Sequence, residues 1–229
     1  MKLLVVMKFW SNTVPCSDRL RNVNYNYPQM IGLGNFLKEQ GIDCDIKLYE
    51  FSQTPFLADS IHKPFPDGCY KRSEKINVIL KESSNYDYIF LLDCDTFFHV
   101  NDYPKVLSLL QQVKKHQIYT FDLAKIDEAT TVRLVSQEQF NIFDVDWWFA
   151  YSGPKSLGAF ANGTVGGLGG VFICDLELLK NIDGFDETYV NWGGEDGDAL
   201  NRILTQIPSA KLLPQREFYP FHLCHPPVQ

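Results

Sequence analysis

The sequence lacks the long apolar runs and the excess of basic residues that would favour a membrane or a nucleic-acid partner. No stretch approaches the roughly 20 apolar residues of a membrane-spanning helix. The net charge is −7, whereas duplex binding depends on clustered lysine and arginine. The amino-terminal MKLLVVMKFW has too short an apolar part for a signal peptide and no small-residue cleavage site. We therefore expect no membrane span and no nucleic-acid partner, and we interpret this segment as a first strand.

Closely spaced cysteine pairs are also missing. The absence of C-x-x-C argues against a zinc ribbon or a thioredoxin-type redox site. The six cysteines are scattered, several of them inside apolar runs: Cys16, Cys44, Cys69, Cys94, Cys174 and Cys224. This distribution favours reduced, mostly buried thiols, so we expect a cytoplasmic location.

Apolar runs typical of strands alternate with segments of helical periodicity. The expected strands cover 3–7, 44–49, 88–92, 117–121, 169–174 and a short stretch in 218–223. The expected helices cover 27–40, 71–81, 104–115, 176–181 and 196–205, and irregular structure is expected over 11–27, 51–69 and 122–163. This alternation predicts an α/β fold with a mainly parallel sheet, whose ligands bind at the carboxyl ends of the strands.

Two carboxylates directly follow the apolar run YIFLL. Asp93 and Asp95 are separated by one residue, and in an extended chain such positions point to the same side. Adjacent carboxylates repel each other, and a hard divalent cation relieves that repulsion and can also neutralise a diphosphate. A solvated turn or a helix cap would use the same residues, so this segment alone leaves both interpretations open.

Glycines and acidic residues form two further motifs. In GGLGGVFI, at 166–173, glycines precede a strand, where they permit positive φ or the close approach of a ligand. In WGGEDGD, at 192–198, a tight turn leads into a helix whose start is acidic. The helix dipole stabilises acidic residues at that position, which accounts for Glu195 and Asp196 but not for the tryptophan and glycines before them.

These motifs resemble those of the β-1,4-galactosyltransferase family and, more distantly, of the polypeptide N-acetylgalactosaminyltransferases. The similarity runs from Gly169 to Arg202 without a gap, through GGV, NIDGFD, WGGEDGD and NR. It extends less strictly over 72–95 and to the tail HLCH. The resemblance implies a GT-A fold, which is Rossmann-like with a mixed, mainly parallel sheet flanked by helices. Residues 1–229 would form one domain, with a nucleotide-binding half at 1–100 and an acceptor and catalytic half at 101–229.

The resemblance also implies an activity and a set of site residues. The activity is metal-dependent, inverting transfer of a hexose or N-acetylhexosamine from a UDP-sugar to a hydroxyl of a glycan or glycoconjugate. The cofactor would be Mn²⁺ or another divalent cation. Asp196 would be the general base, and Glu195 would serve both catalysis and acceptor binding. The implied donor-binding residues are Arg72, Asp93, Asp95, Gly167, Gly169, Gly170 and Trp192, and Trp192 would contact the acceptor as well.

The terminal histidines are candidate metal ligands. Neutral imidazole can bind manganese, and a metal held by Asp95 and phosphates needs a further protein ligand. The resemblance assigns that role to His225, and we add His222 and Asp93 as candidates. Exposed tail histidines without a metal are the alternative.

The aromatic segment FDVDWWF, at 143–149, suggests an acceptor surface, because aromatic rings stack on sugars. Core packing explains one of its tryptophans equally well, and we predict that one, Trp148, lines the cleft. Gly167 aligns with a bulky residue of the galactosyltransferases that crowds the C2 substituent of the donor sugar. We therefore expect UDP-GalNAc or UDP-GlcNAc to be accepted at least as well as UDP-Gal.

Two departures from the family leave questions open. KFWSN at 8–12 replaces the family's proline and basic residues, so the uracil-binding residues stay unassigned, and Gly197 replaces an acidic residue. A sugar nucleotidyltransferase would also use paired carboxylates and a metal, but no glycine-rich basic loop follows the first strand. A non-catalytic carbohydrate-binding protein is the other alternative, and the presence of Asp93, Asp95, Asp196 and His225 argues against it.

Overall fold

The structure is a computed structural model. It describes residues 1–11, 17–66, 71–126, 128–136, 168–190, 193–215 and 217–223. The strands in these ranges are β1 Lys2–Trp10, β2 Asp43–Ser52, β3 Ile61–Pro64, β4 Tyr88–Asp93, β5 Thr96–Phe97, β6 Gln117–Phe121, β7 Ala124–Lys125, β8 Val171–Asp175, β9 Lys211–Gln215 and β10 Phe221–His222. The helices are α1 Ser17–Glu39, α2 Arg72–Lys81, α3 Tyr103–Gln112, α4 Glu128–Ser136, α5 Leu176–Asn181 and α6 Glu195–Gln206, with a 3₁₀ turn at Val100–Asp102. None of these helices is both long enough and apolar enough to cross a membrane.

The main sheet has seven strands in the order β3-β2-β1-β4-β8-β6-β9. All run in one direction except β8, which is antiparallel to β4 and β6. The mixed, mainly parallel sheet predicted from the sequence is therefore confirmed. Because β8 is reversed, its first residue Val171 lies beside Leu92 at the carboxyl end of β4. The glycines before β8 thus share an edge with the carboxylates that follow β4.

The interior strand β1 is buried on both faces. Leu3, Val5 and Met7 pack in the cluster formed with α1 and α3, while Leu4 and Val6 pack in the cluster formed with α2, α5 and α6. Side chains of a strand alternate between faces, so a continuous apolar run serves a strand covered by helices on both sides. The helices flank the sheet as expected for the fold class.

A second, three-stranded sheet has the order β5-β10-β7. β10 is antiparallel to β5, pairing His222 with Thr96, and parallel to β7. The amide of Leu223 donates to the carbonyl of Asp95 at 2.8 Å. The carboxyl-terminal part of the chain is thereby held against the turn that carries the two carboxylates.

Three segments expected to be irregular contain regular structure. Helix α1 begins at Ser17, within the predicted 11–27 loop. Its apolar periodicity is interrupted, because two of the fully buried positions of the helix are the polar residues Asn22 and Asn26. The 51–69 segment contributes β3, which extends the sheet edge. The 122–163 segment contributes β7 and α4, and its residues 137–163 lie outside the described ranges.

Candidate active site at the carboxyl edge of the sheet

The two carboxylates lie at the carboxyl end of β4, Asp93 as the last residue of the strand and Asp95 in the tightly held turn that follows. Asp95 is buried, and the side chain of Asp93 is 24% exposed. The Asn26 amide of α1 donates to the carbonyl of Cys94 at 2.9 Å, and the Thr96 hydroxyl donates to the carbonyl of Asp93 at 2.7 Å. Sequence reasoning missed Asn26, which holds the turn from a distant helix. Both carboxylates are therefore presented by a backbone that is fixed on two sides.

Gly170 makes room for Asp93. The amide of Asp93 donates to the carbonyl of Gly170 at 2.9 Å, and a Cβ at position 170 would overlap Oδ2 of Asp93. Gly169 has a φ of 70°, in the left-handed region that favours glycine. The predicted grouping of these glycines with the carboxylate pair is present, whereas Gly167 lies outside the described residues.

Helix α6 begins with the two predicted catalytic acids. Gly193 and Gly194 before it have φ of 109° and 94°, which other residues rarely adopt. The Glu195 side chain is 3% exposed, and its Oε2 accepts from the amide of Gly193 at 3.0 Å. Asp196 is 20% exposed. Glu195 therefore stabilises the turn, and Asp196 is the more exposed of the two acids, although it is still largely buried.

Arg72 joins the glycine segment to both acids. Its guanidinium contacts Oδ2 of Asp196, lies 3.4 Å from Oε1 of Glu195, and donates to the carbonyl of Gly169 at 2.7 Å. The resemblance implied an arginine that binds the nucleotide. In the structure Arg72 is only 5% exposed and is directed at the acids of α6, because it begins α2, which packs against the same side of the sheet.

The electrostatics of Asp196 suit a proton acceptor. Burial raises the pKa of Asp196 above the usual carboxyl range, the Arg72 guanidinium lowers it, and the negative charges of Glu195 and Asp93 raise it. Among the described residues, Oδ1 of Asp196 is buried and has no hydrogen-bond partner. One oxygen is therefore held by Arg72, and the other is a buried acceptor whose bonding capacity is unused among the described residues.

His222 and Asp95 form the described part of the predicted metal site. His222 Nε2 lies 3.5 Å from Oδ1 of Asp95, a separation that lets both atoms contact one cation. The pairing of β10 with β5 brings these residues together across 127 positions of sequence. His225, which the resemblance favoured as ligand, lies outside the described residues, as do Trp148 and Trp192.

Cations also line this edge, and the sequence analysis gave them no role. Lys8, at the end of β1, donates from its ammonium to Oδ1 of Asp93. The buried Lys75 ammonium lies 4.2 Å from the centre of the Trp10 ring and 4.7 Å from that of Phe65, and Arg19 approaches the same Trp10 ring. The sequence contained a signal for the role of Lys8, because this lysine interrupts the apolar residues of β1 near the carboxyl end of the strand.

A second group of potential ligands lies at the opposite end of the sheet. His116, Asp175 and Glu177 offer ligand atoms within 4.8 Å of one another. Both oxygens of Asp175 already accept backbone hydrogen bonds, from His116 at 2.8 Å and from Glu177 at 3.0 Å. These contacts cap α5 and fix a turn, so we interpret the group as structural.

Comparisons with known proteins agree with this architecture. Residues 161–225 match the family model described as the N-terminal domain of galactosyltransferase. No curated protein matches the chain significantly. Among solved structures, the chain is similar to the catalytic domain of Drosophila β1,4-galactosyltransferase 7 in complex with xylobiose. The TM-score is 0.55 and the identity 16%, over 95% of this chain and 66% of that chain.

Two further solved structures give the same likeness. A mutant of the Drosophila enzyme in complex with manganese, UDP-Gal and xylobiose has a TM-score of 0.54 and 17% identity, over 95% of this chain and 66% of that one. GalNAc-T7 with UDP, GalNAc and Mn²⁺ has a TM-score of 0.55 and 14% identity, over 97% of this chain and 44% of that one. The chain thus spans less than two thirds of each of these proteins. The resemblance predicted from the motifs is confirmed: the chain has the GT-A fold of these glycosyltransferases, and its segment 161–225 matches the galactosyltransferase family.

Proposed function

We propose that this protein is a metal-dependent glycosyltransferase that uses a UDP-sugar donor. The observation that carries the proposal is the convergence of three separate motifs at one edge of the sheet. Asp93 is the last residue of β4, and His222 of β10 lies beside Asp95. Asp196, the second residue of α6, is close enough to Asp93 for the two charges to interact. Such an edge is where ligands of α/β sheets bind.

The described residues fit a divalent cation. Asp95 places a buried carboxylate at this edge, and the imidazole of His222 beside it offers a nitrogen ligand, a combination that suits a cation such as Mn²⁺. Asp95 and His222 would hold the ion, with His225 of the tail as a further candidate, whereas Asp93 is already paired with the Lys8 ammonium. When bound, a divalent cation would neutralise the charge of the leaving diphosphate.

Asp196 is the proposed general base. The Asp196 carboxylate would accept the proton of the acceptor hydroxyl as the hydroxyl oxygen attacks the anomeric carbon. Arg72 holds the other oxygen and so fixes the direction of the carboxylate. A single base on one side, with the diphosphate leaving from the other, corresponds to inversion at the anomeric carbon, and the transition state would be oxocarbenium-like by analogy with glycoside hydrolysis.

Further proposals concern the domain organisation of the protein, its cellular location and its acceptor. We propose that 1–229 is one catalytic domain, with the donor mainly on 1–100 and the acceptor mainly on 101–229. The buried free thiols of Cys44, Cys94 and Cys174 support a reducing compartment such as the cytoplasm. The acceptor would be a glycan or glycoconjugate hydroxyl, near Trp148 and Trp192.

The choice of donor sugar can be tested separately. Glycine at 167 would leave room for an N-acetyl group, so UDP-GalNAc or UDP-GlcNAc should be consumed at least as fast as UDP-Gal. A direct competition between UDP-Gal and UDP-GalNAc, repeated with Gly167→Tyr, measures this. Strict selectivity of the unmodified protein for UDP-Gal would contradict it.

The central experiment is a donor-hydrolysis screen across nucleotide sugars, with and without Mn²⁺. We expect a UDP-sugar to be consumed only with the metal, and the released sugar or transfer product to have inverted configuration. Full turnover by metal-stripped protein in excess EDTA would contradict the proposed requirement for a metal. If no nucleotide sugar is consumed although UDP and Mn²⁺ bind, a non-catalytic carbohydrate-binding role becomes the better explanation.

A further inference from the structure

Lys8 occupies an unusual position for a lysine. It lies near the end of the apolar strand β1, where its register partner on the neighbouring parallel strand is Asp93. Its side chain is only 10% exposed, and its ammonium contacts Oδ1 of Asp93. Burying a charged pair costs desolvation energy, and apolar residues of similar size are often at least as stabilising. A stability role alone therefore gives a weak account of this residue.

The surroundings of Lys8 show what a positive charge there would act on. Asp93 is held between the Lys8 ammonium on one oxygen and Gly170 packed against the other. Asp95 follows two residues later, beside His222. At this edge one cation is thus paired with Asp93, and the Asp95 carboxylate lies separately beside the His222 imidazole.

We propose that Lys8 is a donor-binding residue, a permanent cation that binds a phosphate oxygen of the nucleotide and keeps Asp93 out of the metal's coordination. This proposal rests on the proposed function and deepens it. A lysine ammonium has three donors and binds phosphate as a point charge. One donor is used by Asp93, and Asp93 is still exposed enough to meet the donor molecule.

If Lys8 binds the nucleotide phosphates, the loss of its charge should change the affinities for nucleotide and metal in opposite directions, which a purely structural role would not do. A fixed positive charge attracts the phosphates of UDP and repels a divalent cation bound nearby. Asp93 and Asp95 are separated by one residue of a turn, and charges this close in the chain still interact across partly buried protein. Removing the charge should therefore weaken nucleotide binding and strengthen metal binding, two effects of opposite sign.

The experiment measures binding by calorimetry on the unmodified chain and on Lys8→Met, which keeps the length of the side chain and removes the charge. Mn²⁺ alone should bind Lys8→Met about three- to tenfold more tightly. UDP, titrated at a Mn²⁺ concentration that saturates each variant, should bind about tenfold more weakly. Lys8→Arg keeps the charge and should stay closer to the unmodified protein in both titrations.

The matched control is Lys2→Met, on the amino end of the same strand. Lys2 pairs with Asp45 and is 40% exposed, so both affinities should be unchanged. Unchanged UDP affinity in Lys8→Met would overturn the proposal, and a parallel weakening of UDP and Mn²⁺ would assign Lys8 a structural role. If Lys8→Met fails to fold, Lys8→Gln replaces it in the same titrations. Failure of the unmodified protein to bind UDP or Mn²⁺ would instead contradict the proposed function.

Discussion

The two ends of the main sheet carry similar residue types and use them differently. At one end, Asp175 is saturated by backbone amides and caps a helix. At the other, Asp196 is held through one oxygen by Arg72, and its second oxygen has no partner among the described residues. Both ends combine a histidine with carboxylates. What distinguishes a candidate active site from a structural cluster is therefore the unused bonding capacity of its buried groups.

The largest expected effect comes from Asp95. Asp95→Asn removes the charge that a cation at this edge would need, so sugar transfer should fall to background at every Mn²⁺ concentration. Transfer assays across a Mn²⁺ titration measure this. The matched control is Asp87→Asn, an exposed residue directly before β4, which should retain activity. A merely modest loss in Asp95→Asn would contradict the assignment of the metal to this edge.

Asp196→Asn should reduce kcat by about 10²- to 10⁴-fold, the usual contribution of a general base. UDP affinity should change little, because the proton is taken only as the hydroxyl attacks. Steady-state kinetics and UDP titration separate the two quantities. Asp198→Asn, on the same helix and paired with Arg202 at 2.7 Å, serves as the control. Collapse of UDP binding in Asp196→Asn would show that Asp196 binds the donor instead.

Arg72 should set the pH dependence of the reaction. The base must be ionised, so kcat rises with pH through the pKa of Asp196, and the guanidinium lowers that pKa. Arg72→Met removes the lowering effect and should move the acidic limb of the pH profile upward by about one unit or more. Arg72→Lys keeps the charge and should shift the limb less. A limb that stays in place in Arg72→Met would argue that Arg72 does not act on Asp196.

The smallest effect on activity is expected at the opposite end of the sheet. Asp175→Ala removes a helix cap, which should lower stability by about 1 kcal/mol and the melting temperature by about 2–4 °C. Transfer activity and Mn²⁺ affinity at low temperature should be unchanged, with exposed Glu177→Gln as a neutral control. Loss of Mn²⁺ binding in Asp175→Ala would mean that the two ends of the sheet were assigned the wrong way round.

Much of the candidate site could be predicted because its motifs are local. The strand before Asp93, the glycines before β8 and the helix begun by Glu195 each have a pattern readable within a few residues. Helix α1 was partly missed because its buried face includes Asn26, a residue type that normally indicates a loop. The role of Asn26 depends on contact with Cys94, 68 residues away, which no local pattern contains.

Local sequence patterns were enough to predict the fold class and to indicate the candidate carboxylates, because strand burial and turn chemistry depend on neighbouring residues. The partners of those carboxylates follow from the tertiary fold. The reversed direction of β8 brings Gly170 to Asp93, and the packing of α2 directs Arg72 at Asp196. The pairing of β10 with β5 selects His222 as a neighbour of Asp95. Each of these contacts joins distant parts of the chain, and the folded sheet fixes them through strand order and register.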